Sequence, residues 1–456
     1  MMLERTTRAS LVLTSVLAAC GGPAGLEAPS TETTELSEEA LMCRPRTAAL
    51  DARRSLFITD TAVLEGADFS LERTLAQLAS QSGNPNITAL SLFRQLWDTQ
   101  NPGPGLGQGP HCDDELTAGG ASLNGFPLRC GRAEGRQADA ALDADGITPE
   151  QYLAAYKPVS LVNRFDLAPP SGEHCGEYRI VYAKDPTVGP GRNLIIFEAV
   201  LPNPRPGCGL AACRPVQELW ASMSDLPSAT TRATRLAQLY YSGYRGFAPV
   251  IHHRHFALGG SGSYGSAGRS GQIRTNQFMQ APWVLREYQL QHRPGSRRSP
   301  ADLDFVPVEL KTNAQGFLFD GTIATSTSPY AALAAAHQAD FVGHVASLAG
   351  ATLGDISMGV AAEFNAGEAE AGSTNHQNRY TSHFAQDGGV SGFRAAIQDR
   401  LATLGSALTP ADIVARAQTQ SCAGCHDLSN NASLGGGLTW PATRRLHRTL
   451  DYPQTR

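Results

Sequence analysis

Nine cysteines are spread along this 456-residue chain, and they fall into groups that constrain the fold in different ways. Cys43, Cys112, Cys130, Cys175, Cys208 and Cys213 occupy its first half. In an exported chain an even set of this kind forms disulfides, although sequence alone does not fix who pairs with whom. The small residues of Cys208-Gly-Leu-Ala-Ala-Cys213 predict a locally closed loop. Cys112 with Cys130 would staple the Gly-rich stretch between them. The other three cysteines have different neighbours. Cys20 closes an apolar run near the N-terminus, and Cys422 and Cys425 stand just before His426.

The N-terminal residues supply the export signal. Arg5 and Arg8 precede the apolar run Leu11–Leu17, which is shorter than the roughly 20 residues of a membrane span. Leu17-Ala18-Ala19-Cys20 resembles the lipobox of bacterial lipoproteins. That resemblance implies a signal peptide over 1–19, lipid on Cys20, and a membrane contact made through the lipid alone. Gly21 and Gly22 follow where an Asp would imply inner-membrane retention, so the expected destination is the outer membrane. An ordinary cleaved signal with Cys20 as a stray thiol is the other reading. Residues 20–42 are Gly, Pro, Ser, Thr and Glu with few large apolar side chains, which predicts a flexible tether.

The net charge of -5 is mild for this length and points to neither nucleic acid nor an anionic surface as partner. With 46 Gly and 28 Pro the body over 43–405 should be loop-rich, and it is long enough for two subdomains. Leu71, Leu75 and Leu78 share one helical face, and Thr88–Trp97 is a second amphipathic segment. A loop is expected over 101–145. Thr148-Pro149-Glu150 opens another helix. Glu177–Tyr182 and Asn193–Val200 are dense in β-branched and aromatic residues and predict strands; Gln272–Met279 and Trp283–Gln291 predict two more. Helices are expected over 216–223, 230–241, 330–348 and 392–404. The fold class read from these elements is α+β: a loop-rich, disulfide-braced body followed by a short helical segment over 406–456.

That last segment starts with a cap, Thr409-Pro410-Ala411-Asp412, and its helix runs into Ser421-Cys422-Ala423-Gly424-Cys425-His426. Two thiols at this spacing can add across the vinyl groups of haem, and the following imidazole is placed as an iron ligand. A disulfide, a thiol redox pair and part of a zinc site are the other readings. A redox pair normally sits at a helix N-terminus, whereas here the preceding helix is expected to end at the motif. Residues 409–440 resemble the haem-attachment half of the bacterial cytochrome c domain. The resemblance implies covalent haem c on Cys422 and Cys425, His426 as proximal ligand, and electron transfer with a redox partner protein. In that family a later Met supplies the sixth ligand, but no Met follows Met358 here. His447, Met279, Met358 or an open position reactive towards small molecules would have to serve. After Pro441 the text becomes basic and patternless, as a truncated or frame-shifted frame would read.

A second candidate is Ile251-His252-His253-Arg254-His255-Phe256. On a strand, His253 and His255 would share a face and form a metal site with His337, His344, His376 or His383. Three functions follow: a lipid-anchored haem protein, a non-redox binding or structural lipoprotein in which Cys422–Cys425 is a disulfide, or a metal-dependent hydrolase built on the His253/His255 face. The G-x-G-x-x-G match at Gly260, Gly262 and Gly265 has no helix pattern after it and is set aside.

Overall fold

Alternation of apolar and polar residues along successive segments produces one large antiparallel sheet, in which each face has its own chemistry. The computed structural model describes residues 57–130, 147–188, 193–258, 270–276, 283–297, 299–371 and 377–442. Cys20, Cys43, Met279, His376, His447, the 20–42 tether and the Gly260–Gly265 loop lie outside these. The strands are β1 (Phe57–Ile58), β2 (Tyr156–Arg164), β3 (His174–Lys184), β4 (Leu194–Pro202), β5 (Gln272–Asn276), β6 (Trp283–Arg293), β7 (Asp302–Val308) and β8 (Ala369–Ala371). The first seven lie side by side in chain order, a simple meander. β6 is long enough to pair with β7 along Glu287–Arg293 and with β8 along Trp283–Leu285.

The register puts Ile180 opposite Phe197, Phe197 opposite Ile273, and Ile273 opposite Tyr288. These side chains are fully buried on one face. The helices α1 (Leu71–Ser82), α2 (Ala89–Asp98), α3 (Pro149–Ala154), α4 (Arg214–Ser222) and α5 (Ala229–Ala237) add their apolar stripes to the same core. Ser70 caps α1 by accepting the Arg73 N–H, and Gly83 ends it in the left-handed region at φ 77°. Leu71, Leu75 and Leu78 are then fully buried, each contributing about 1.5–3 kcal/mol relative to exposure. Thr74 Oγ1 joins the hydroxyls of Tyr182 (2.6 Å) and Tyr241 (2.9 Å) within this core.

A second core is helical. It joins α6 (Ala331–Leu348), α7 (Tyr380–Phe384), α8 (Gly392–Thr403) and α9 (Pro410–Gln420) through Phe341, Val345, Tyr380, Ile397, Ile413 and Ala417. The described residues from 406 to 442 are thus built into the body rather than hanging from it. Met358 is buried in this core. Helices and antiparallel sheet together make an α+β fold.

Two disulfides brace it. Cys112–Cys130 closes the stretch that holds a three-strand meander at Leu116–Thr117, Gly120–Leu123 and Phe126–Pro127, where a loop was expected. Cys213 does not close a local loop with Cys208. It bonds Cys175, tying the start of β3 to α4, because the chain between Cys208 and Cys213 is kinked at Gly209 (φ 55°). Cys208 is also disulfide-bonded. Such bonds suit an oxidising compartment. Among the described residues no helix is long and apolar enough to cross a membrane.

Candidate functional site

Helix α9 is fixed at both ends before it delivers the Cys422–His426 motif. Thr409 Oγ1 accepts the Asp412 N–H (3.2 Å) while Asp412 accepts the Thr409 N–H (2.8 Å), a reciprocal cap. Arg416, fully enclosed, donates to the carbonyls of Leu434 (2.7 Å), Leu348 (2.9 Å) and Gly350 (2.9 Å), locking α9 to the C-terminal end of α6. Burial lowers the pKa of its guanidinium, opposed by Asp412.

The helix stops at Gln420, and a new helical turn starts at once. Ser421 takes extended φ/ψ, its Oγ accepts the Gly424 N–H (3.0 Å), and its carbonyl accepts the Cys425 N–H (2.9 Å). A Cβ at 424 would overlap the Gln418 carbonyl, so this close crossing requires glycine. Trp440 Nε1 donates to the Cys425 carbonyl at 3.3 Å. Cys422, Cys425 and His426 therefore follow one another at i, i+3 and i+4 along one wide helical turn. The preceding helix ends at the motif as expected, and both thiols stand at the start of a separate turn.

The two thiols are unbonded, and they are the free cysteines among the described residues. The Cys422 thiol is packed inward, in a cluster with Leu285, Leu310, Ala369, Ala371, Ala423 and Leu428, whereas His426 is exposed. Burial pushes the Cys422 pKa up to about 11 against the pull of Arg274, and burial raises that of Cys425 as well. Protonated thiols are poor nucleophiles for disulfide exchange, so ionisation, rather than helix position, argues against thiol redox work.

Beneath Cys422 lies the other face of the sheet. Arg179 stands opposite Glu198, Glu198 opposite Gln272, and Arg274 opposite Glu287. Arg179 bonds Glu177 (2.8 Å) and Glu198 (3.2 Å), and Arg274 bonds Glu198 (3.0 Å) and Glu287 (2.9 Å). Lys311 Nζ donates to Gln272 Oε1 (2.7 Å) and to the Ser270 carbonyl (3.1 Å). Glu198 and Glu287 are 1 % and 0 % exposed, so the layer persists only because its charges are paired. Burial alone would raise the Glu198 pKa, but Arg274 and Arg179 outweigh it and hold that carboxyl below the ordinary range. Glu287 is pushed above the ordinary range by burial, despite Arg274. Burial lowers the pKa of Lys311. None of these residues was nominated from sequence, although charges at alternate positions of apolar strands were a legible signal.

The histidine segment is not a strand. His253–Phe256 is a turn of 3-10 helix, because the Phe256 side chain packs into the first core while His252 caps the turn by accepting the Arg254 N–H. His253 stacks on His252 (ring centroids 4.8 Å apart) and meets His292 at a tilt (4.6 Å), a neighbour brought from β6 that sequence did not suggest. His255 Nδ1 bonds the Val250 carbonyl at 3.0 Å. Burial lowers the His253 pKa to about 4 and that of His255 to about 3. His337 is not brought to this cluster. It lies among Phe319, Phe341 and Phe364, while His344 faces Asp340 at 3.6 Å and His383 is on α7. Among the described residues no three His, Cys, Asp or Glu side chains are grouped to hold a metal ion. A cavity of about 640 Å³ opens elsewhere, between α2 and the edge strand β7, beside Gln95, Arg293 and Asp304.

The residues present fit c-type haem at its attachment end. Two protonated, unbonded thiols and an exposed imidazole follow in the required order on one turn. No protein-family model, no curated protein and no solved structure matches the chain.

Proposed function

We propose that this chain is an exported, lipid-anchored c-type haem protein acting in electron transfer or in a haem-linked redox reaction. One observation carries the reading. Among the described residues the free thiols are the two that precede His426 on a single turn, and the other described cysteines are disulfide-bonded. Cys422 and Cys425 would hold the haem through thioether bonds, and His426 would serve as proximal ligand. When bound, the group would cycle between ferric and ferrous states. The chain does the rest. Ser421 and Gly424 set the turn that presents the three side chains, and Leu285, Leu310 and Leu428 exclude water around Cys422. His447 is the proposed sixth ligand, and Cys20 the proposed site of an outer-membrane lipid anchor, with a redox protein as partner.

The test is expression in a host with haem-attachment machinery, followed by a covalent haem stain and a pyridine haemochrome spectrum. A stained band that survives denaturing electrophoresis, lost in a Cys422→Ala/Cys425→Ala double variant, is the expected result. Unstained wild-type protein would sink the proposal.

A further inference from the structure

We infer that Glu287 is a redox-linked proton acceptor, taking up one proton when the centre attached at Cys422 and Cys425 gains an electron. This rests on the haem reading above. The geometry that carries it is the seating of one carboxylate. Glu287 Oε2 accepts from Arg274 Nε at 2.9 Å, while Oε1 is buried with no hydrogen-bond partner. A buried carboxylate oxygen without a donor is costly as an anion and well suited to carry a proton. Leu285, two residues back on the same face of β6, packs in the cluster that holds Cys422, so the carboxylate lies under the attachment turn.

The charged groups facing Glu287 come from several elements. β5 supplies Arg274, β4 supplies Glu198, and Lys311 follows β7; the Cys422 turn lies above, and Glu177 and Arg179 of β3 extend the layer beyond Glu198. The layer holds three carboxylates and three cations, so it is balanced only while Glu287 is ionised. Reducing a ferric centre nearby removes one positive charge, and protonating Glu287 restores it. The step would balance: an external one-electron donor would supply the electron, and a solvent hydronium would break one O–H bond as the proton forms an O–H bond at Glu287 Oε1. Arg274 is 18 % exposed, so the layer reaches solvent on one side. The raised titration range of Glu287 agrees with this role.

The experiment is a redox titration against pH on haem-stained holoprotein, with mediators and a poised electrode, for the wild type, Glu287→Gln and Glu287→Asp. The wild-type midpoint potential is expected to fall as pH rises above the ordinary glutamate range, at a slope approaching one proton per electron. Glu287→Gln should be flat there and stay at the wild type's acid-limb potential, while Glu287→Asp keeps a displaced slope. Redox-difference infrared spectra of the wild type should show a carboxylic C=O stretch appearing on reduction, a readout that needs no variant. A flat wild-type profile, an unchanged slope in Glu287→Gln, or no carboxylic band overturns the inference and leaves the haem reading standing. Absence of covalent haem overturns the haem reading itself and this inference with it.

Discussion

The two faces of the central sheet are built from the same strands and handle titratable groups in opposite ways. In the apolar core on the helix-covered side, Tyr178 is fully buried and its pKa raised by burial, and buried His255 is driven down by burial, so both stay neutral. On the other face Glu198 is equally enclosed yet kept charged by pairing with the partly exposed Arg274 and Arg179. Burial is common to both faces; partners decide the ionisation. The apolar face can lose a polar atom and gain by it, whereas the charged face cannot lose one member without stranding the others.

The largest expected effect comes from breaking the paired face. Arg274→Met strips Glu287 of its ion-pair partner and leaves Glu198 with Arg179 alone, and should cost about 3–5 kcal/mol in denaturant unfolding. Combining it with Glu198→Gln and Glu287→Gln should restore most of that loss. A single variant as stable as the wild type would mean the layer is not held by charge pairing.

Acid probes the neutral face. His255 titrates near 6.5 when unfolded and near 3 when folded, so below pH about 6.5 the unfolded state binds the extra proton. The stability due to its neutral burial is complete above that value and is lost as pH falls through the window, at up to about 1.4 kcal/mol per pH unit. Replacement by Phe should flatten the stability profile between pH about 6 and 4. An unaltered acid limb would show that His255 is not its source.

At the cover of the charged face, Gly424→Ala forces a methyl against the Gln418 carbonyl. It should lower stability by about 1–3 kcal/mol and reduce the haem stain per mole of protein, both read on the same preparation. The smallest effect is reserved for Tyr178→Phe. Its hydroxyl is buried without a partner, so removal should change thermal stability by no more than about 0.5 kcal/mol, or improve it. A loss well beyond that would reveal a hidden partner and weaken the contrast between faces.

Elements with a local signature were legible. The capped helices α1, α2 and α9 and the strands β3 and β4 stand within a few residues of their sequence positions, since caps and alternation are short-range patterns. β2 and β7 were missed because each contains a proline. Pro158 lies where β1 does not reach, at a register shift, and Pro307 lies on the sheet edge, so neither removes a needed hydrogen bond. The motif at 422–426 was read from spacing, but its separate turn depends on the Gln418 carbonyl crossing Gly424, which no short pattern announces. Charges at alternate strand positions hint at the ionic layer, but which of them pair, and the approach of His253 to His292, depend on strand register and on residues far apart in sequence.

The meander also sets an order of events. A chain emerging N-terminus first can lay down β1 through β7 as they appear, each beside the last. The turn that shields Arg274 and Glu287 arrives more than a hundred residues after β7. Until then the half-made molecule presents a wet, ionised flank, and Cys422 is still in open solution. Once the turn seats, Cys422 is the more enclosed of the two thiols, and Cys425 is the one a reagent reaches first.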